Sequence, residues 1–175
     1  MPDYTITVLD ISQHGLTELP DDIDKFTNLK TLNCGYNQIT SLDNLPPNLK
    51  ELYCYNNQIT SLDNLPPTLK IINCSHNKIT SLDNVLPILE ILNCNNNKLS
   101  SLDNLPSTFK VLYCNNNEIT SLDNLANGQL AGNEDKPLSL PPTLKLYCNG
   151  NPLKYDFEPT LENIRNYIAS RMLST

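Results

Sequence analysis

Cysteine stands at positions 34, 54, 74, 94 and 114, each twenty residues after the last. A period this strict dictates an architecture before any chemistry is weighed, because each twenty-residue unit must be one structural coil and the coils must stack. Aligned on the cysteines, five copies read L-x-x-L-x-C-x-x-N-x-I/L-x-x-L-D-N-L/V, beginning at Leu29, Leu49, Leu69, Leu89 and Phe109. The alternation around Leu32 and Cys34 has period two and suits a short strand with one buried face, and the Asn-x-Ile that follows turns the chain inward again. One coil cannot bury its apolar row alone. Coils set side by side at about 4.8 Å form a parallel sheet over a continuous core. Cys34, Cys54, Cys74, Cys94 and Cys114 then take an inward strand position as small apolar residues in a column.

With 175 residues, 39% of them hydrophobic, the chain suits a single domain, 1–175, with a continuous core. Its net charge of −7 argues against nucleic acid and anionic membranes as partners, since both need a basic face. The opening MPDYTITVLDIS carries no basic flank before an apolar run. No stretch approaches the roughly 18 apolar residues of a membrane span. A soluble, cytoplasmic protein is expected, whose thiols stay reduced.

The repeat resembles the leucine-rich repeat, in which L-x-x-L-x-L/C-x-x-N-x-L lines a horseshoe, and the likeness covers nearly the whole chain. The twenty-residue length and the LPP or LPS between strands look most like the short repeats of bacterial effector proteins. The resemblance implies a mostly β, curved solenoid with a parallel sheet on the concave face and an extended, polyproline-like convex side, which Pro46-Pro47 and Pro66-Pro67 would enforce. The cysteine-containing variant, with an ending such as NPLKYDFEPTLENIRNY, also resembles repeat proteins encoded by giant amoeba viruses. That likeness implies a viral protein acting in the host cytoplasm.

The ends depart from the repeat. Residues 6–28 make a longer first coil, with His14 where later coils carry asparagine and with Ile23, Phe26 and Leu29 spaced for a short helical turn. Regular coils run over 29–125. The surplus between Cys114 and Cys148 falls in residues 126–140, an insertion or degenerate coil that is either a tolerated loop or a grafted contact site. Residues 141–154 form the last coil with one residue missing. Residues 155–175 form a helical cap, Pro159 in its first turn and Leu161, Ile164, Ile168 and Met172 in one apolar stripe.

Chemistry finds little purchase. Structural zinc takes close cysteine pairs, and here no two cysteines are nearer than twenty residues, so no metal or cofactor is expected. Disulfides between neighbouring coils stay open on Cα spacing, although in-register side chains point the same way, which leaves the bridge geometry unfavourable. His14 and His76 are the only histidines, and Ser75-His76 are sequence neighbours that should not face one another, so no catalytic residue is assigned. The asparagines at 37, 57, 77, 97, 117 and 151 tempt a ligand reading; the resemblance implies instead that they bond the backbone of adjacent coils. Asp43, Asp63, Asp83, Asp103 and Asp123 face water or accept turn amides, with a calcium row the lesser alternative. Lys30, Lys50, Lys70, Lys110 and Lys145, interrupted by Glu90, read as a solvated rim.

The outward face of the sheet remains, and it varies where the core does not. The expectation is a non-enzymatic, monomeric module that binds a partner protein there. Its contact residues would be Tyr36, Tyr53, Tyr55, Ile71, Asn73, Ser75, Ile91, Asn93, Asn95, Val111, Tyr113 and Asn115. Tyr53, Tyr55 and Tyr113 would be the central anchors and the asparagines adaptable hydrogen-bonding contacts. Two other accounts stand beside it: strands simply favour Tyr, Ile and Val, or the chain is a structural or virion-associated protein that self-assembles through an open end.

Overall fold

Leu29, Leu32, Cys34, Ile39 and Leu42 of one coil, and their counterparts in the next four, point into a single buried core. A computed structural model describes residues 2–83, 85–103, 105, 108–122 and 144–172, without the side chains of 161, 165, 168, 169, 171 and 172. Seven three-residue strands, β1 (Val8–Asp10), β2 (Thr31–Asn33), β3 (Glu51–Tyr53), β4 (Ile71–Asn73), β5 (Ile91–Asn93), β6 (Val111–Tyr113) and β7 (Lys145–Tyr147), pair in chain order. Every pairing is parallel and in register, so Leu9, Leu32, Leu52, Ile72, Leu92, Leu112 and Leu146 form one inward row. The result is a β-solenoid that, among the described residues, is helical only at Ile23–Lys25 and Leu161–Met172. Between coils the chain returns as extended or turn backbone, the form imposed where Pro follows a leucine.

The cysteines lie one residue beyond the strands. Their amides still continue the ladder, as in Cys34 N–H to Tyr53 O at 2.8 Å and Cys54 N–H to Asn73 O at 2.8 Å. All six are unbridged and buried. Three of their thiols donate to the next coil's carbonyl: Cys74 to Asn93 at 3.4 Å, Cys94 to Tyr113 at 3.2 Å and Cys114 to Tyr147 at 3.3 Å. Burial pushes the Cys34 and Cys74 thiols up to about 12.

The inner asparagines tie coil to coil. Asn77 shows the pattern: its Nδ2 donates to Cys54 O and Cys74 O, both at 3.0 Å, and its Oδ1 accepts Ile59 N–H at 2.9 Å. Asn57, Asn97, Asn117 and Asn151 repeat it. Asn37 makes the same link to the first coil, with His14 N–H and Leu16 N–H on its oxygen. An amide with two donors and two lone pairs bridges two coils in a way that no other short side chain matches.

A second asparagine preference has a different cause. Residues 36, 56, 76, 96, 116 and 150 all adopt positive φ, between 52° and 70°. Asparagine and glycine enter this left-handed region cheaply, whereas Tyr36 and His76 sit there at a cost of about 1 kcal/mol each. Asn44 and Asn64, the last residues of two S-L-D-N turns, do the same. Their aspartates are exposed, Asp43 and Asp63 each accepting a serine hydroxyl two residues earlier at 2.6 and 2.5 Å. The same serine Oγ atoms accept the aspartates' own N–H groups, at 3.2 Å in Asp43 and 3.0 Å in Asp63.

Both ends are sealed by aromatic residues. At the first coil Tyr4 packs edge-on against Phe26, ring centroids 4.9 Å apart, and donates to Asp22 Oδ2 at 2.6 Å; a 3-10 turn, Ile23–Lys25, buries Ile23 as its spacing foretold. At the other end helix α1 (Leu161–Met172) buries Ile164, and its Tyr167 clusters with Tyr155 and Phe157. Tyr155 Oη accepts Leu122 N–H at 2.7 Å, fastening the cap to the sixth coil. Pro159 precedes the helix instead of opening it. Thr160 is the cap, its Oγ1 accepting Asn163 N–H at 3.1 Å, and Pro159 stands one residue before it. The expected insertion at 126–140, and the side chains of Leu161, Ile168 and Met172, lie outside the described residues.

Candidate protein-binding face

Outward residues of the strands come in three columns. The first runs Thr31, Glu51, Ile71, Ile91, Val111 and Lys145; the second runs Asn33, Tyr53, Asn73, Asn93, Tyr113 and Tyr147. The third follows the cysteines: Gly35, Tyr55, Ser75, Asn95, Asn115 and Asn149. Because inward leucine and cysteine alternate with these positions, the frame that builds the core also presents the face. Ile71, Ile91 and Val111 are adjacent in register and half-buried, forming a shallow apolar strip.

The tyrosines gather at two places. Tyr55 lies across Gly35, where an added Cβ would fall 2.7 Å from its Cζ, and meets the exposed Tyr36 edge-on at 5.3 Å. Any side chain at 35 would therefore have to displace the next coil's ring. Four coils away, Tyr113 and Tyr147 stack with centroids 4.7 Å apart and planes 10° from parallel. Tyr147 is 41% exposed and continues the face by one coil. Its register with Tyr113 was hidden by the 34-residue spacing from Cys114 to Cys148. Tyr53 stands between the pairs, donating to Glu51 Oε2 at 3.1 Å. Burial first, then that carboxylate, raises its phenol above the ordinary range.

The polar contacts are less free than their residue types suggested. Ser75 is buried, and its hydroxyl donates to Asn73 Oδ1 at 2.8 Å, so it offers no outward contact. Asn73 Oδ1 also accepts Ser75 N–H at 3.2 Å, and Asn93 Oδ1 accepts Asn95 N–H at 3.2 Å. Asn95 Oδ1 takes Asn115 N–H at 2.7 Å, and Asn115 Oδ1 takes Asn149 N–H at 2.8 Å. These side chains are positioned rather than adaptable.

Along one rim, Glu90 joins two lysines. Its carboxylate receives Lys70 Nζ at 2.9 Å on one oxygen and Lys110 Nζ on the other. The two ammonium groups hold its carboxyl down at about 2. Among the described residues no cluster of three or more His, Cys, Asp or Glu could hold a metal ion, and no helix is long and apolar enough to cross a membrane.

A family model described as leucine-rich repeats in two copies matches residues 5–47 and 47–87. The inward leucine row, the asparagine ladder and the strand register extend the same unit through 122 and into β7. The chain is a stack of leucine-rich repeats. Solved structures agree. YopM, a leucine-rich effector protein from Yersinia pestis, is 28% identical with a TM-score of 0.70 over 85% of this chain. The functional domain of InlJ from Listeria monocytogenes, which includes a cysteine ladder, is 30% identical with a TM-score of 0.54 over 83% of this chain. A complex of Latrophilin 3, Unc5D and the FLRT2 leucine-rich repeat shares the fold at 22% identity, with a TM-score of 0.67 over 87% of this chain. The present chain spans 38%, 33% and 48% of those three chains. A search of curated proteins found no match. Leucine-rich repeats commonly serve as scaffolds for protein interaction.

Proposed function

We propose that this leucine-rich-repeat chain is a non-catalytic binding module that holds a partner protein on its concave sheet. One observation carries the reading. The two tyrosine pairs, Tyr36–Tyr55 and Tyr113–Tyr147, and the apolar strip between them lie on one face of an invariant frame, outside the buried row that sustains the fold. Tyrosine offers large, stiff contact area at small entropy cost and is favoured in binding hot spots. FLRT2 stands in an octameric complex with other proteins, which illustrates the mode without naming a partner here. The six reduced, buried thiols suit a cytoplasmic setting.

The test is selection of protein fragments from a display library on the immobilised chain, counter-selected with the Tyr53→Asp/Tyr113→Asp variant after both proteins are shown to melt alike. Fragments retained by the wild type and released by the variant are expected. Fragments held equally by both would move the site elsewhere. Self-assembly through the last coil is the second reading, favoured by the open groove that Leu144–Asn149 and Glu158–Thr160 line. The aromatic cap beside it weighs the other way. Sedimentation of a single concentration-independent monomer would dismiss self-assembly.

A further inference from the structure

The concave face carries a row of hydrogen-bond donors whose direction is set by the backbone. Asparagine oxygen and nitrogen are usually interchangeable on density grounds. Here a main-chain N–H points at one end of each of four amides, and only oxygen can accept it: Asn73 from Ser75, Asn93 from Asn95, Asn95 from Asn115 and Asn115 from Asn149. The other end is therefore NH2. None of these four Nδ2 groups has a hydrogen-bond partner among the described residues, although all four residues are half-buried on the face. The buried column differs, since there every Nδ2 is spent on carbonyls of two coils. These donors stand open to solvent, where an acceptor on a partner can take the place of water.

Resting on the reading above that this face binds protein, we infer that its partner presents an extended segment with carboxylates at alternate residues, which accept from Asn73, Asn93, Asn95 and Asn115. Three features select that chemistry. Donors alone select acceptors, and a carboxylate is the strongest acceptor that a peptide carries. The rows repeat at the strand spacing of about 4.8 Å, and alternate side chains on one face of an extended peptide recur at roughly 6.6 Å, close enough for flexible carboxylates to engage successive coils. Charge agrees: the face and its rim carry Lys30, Lys50, Lys70, Lys110 and Lys145 against Asp10, Glu51 and Glu90, while the S-L-D-N aspartates stand in the turns that follow the buried columns. A polyanion as dense as nucleic acid is disfavoured by the overall charge of −7, whereas a few spaced carboxylates meet only the local basic rim.

The probe is a fluorescent peptide of alternating Glu and Val, about twelve residues long so that it spans the seven strands, compared with Gln–Val and Lys–Val peptides of equal length by anisotropy. The full chain should bind Glu–Val at least tenfold more tightly than either. The decisive variant is Asn93→Asp/Asn115→Asp. Each new carboxylate still accepts the internal N–H, so the fold is kept, while the outward donor becomes a repelling acceptor. Its affinity for Glu–Val should drop at least tenfold with the melting temperature unchanged, and single Asn73→Asp should weaken binding less. Equal binding of Gln–Val, undiminished binding by the double variant, or displacement of the peptide by a uridine oligonucleotide of equal length would each overturn the inference. Were Glu–Val to fail while selected fragments still needed Tyr53 and Tyr113, the carboxylate rule would fall and the binding face would stand. Failure of both would remove the face itself.

Discussion

The two sides of the same coils use asparagine in opposite ways. On the inner side, Asn57, Asn77, Asn97 and Asn117 are buried with donors and acceptor all committed to backbone groups of two coils. On the outer side, Asn73, Asn93, Asn95 and Asn115 commit the oxygen and leave the nitrogen to solvent. One residue type therefore serves the fold where it is saturated and is available for recognition where it is half satisfied. The difference is one of address, since the side chains are identical and only the next coil decides how many partners each meets.

The contrast is broken most strongly from inside. Asn77→Ala would orphan Ile59 N–H in the core and take from the carbonyls of Cys54 and Cys74 one of the two asparagine donors each accepts. A loss of about 3 kcal/mol is expected, which lowers the melting temperature by roughly 6–12 °C; calorimetry against wild type checks it, and a shift under 2 °C, on the order of 1 kcal/mol or less, would mean that water replaces the ladder. Outside, Asn93→Asp should change stability by less than about 0.5 kcal/mol, because its carboxylate keeps the bond from Asn95 N–H. A melt of that variant as low as that of Asn77→Ala would erase the distinction between the two sides.

The thiols sharpen the same contrast kinetically. Cys34, Cys54, Cys74, Cys94 and Cys114 are sealed in the core and their thiolates are disfavoured by burial, while Cys148 sits at the last coil with slight exposure. Pulse labelling with iodoacetamide at pH 8, read by mass spectrometry, should modify Cys148 first and the other five only through unfolding. Labelling of all six at one rate under native conditions would show that the column opens as a unit.

The smallest effect belongs to the rim. Glu90 is depressed to about 2 from the ordinary 4.5 by Lys110 and Lys70. A depressed carboxyl adds stability that is present above the unfolded value and disappears as pH falls through the folded one. Glu90→Gln should therefore lower the melting temperature slightly at pH 7, converge with wild type between pH 4.5 and 2, and show no difference in molar salt. A difference that survives at pH 2 would assign the effect to packing.

Much of this was open to reading in the chain alone. The coil length and the inward cysteines follow from a repeat in which every copy votes on the same position, the turn at Ile23 follows from the spacing within the first coil, and the asparagine ladder is what the resemblance to leucine-rich repeats implies. Ser75 and Tyr147 show where that reading stops. Ser75 occupies an outward slot by pattern, yet its short side chain folds back onto Asn73 and is covered. Tyr147 belongs to a coil whose spacing departs from the period, so only pairing of β7 with β6 reveals that it stacks on Tyr113.

What the sequence determined by itself is the frame: periodic burial of leucine and cysteine has one solution, a parallel stack, because no single coil can hide its own apolar row. Tertiary structure alone decided how the outer side chains are spent. Which end of Asn95 faces out, which lysines Glu90 joins, and which tyrosines pair all depend on atoms nineteen or more residues away, brought within hydrogen-bonding or stacking distance only when the coils close on one another.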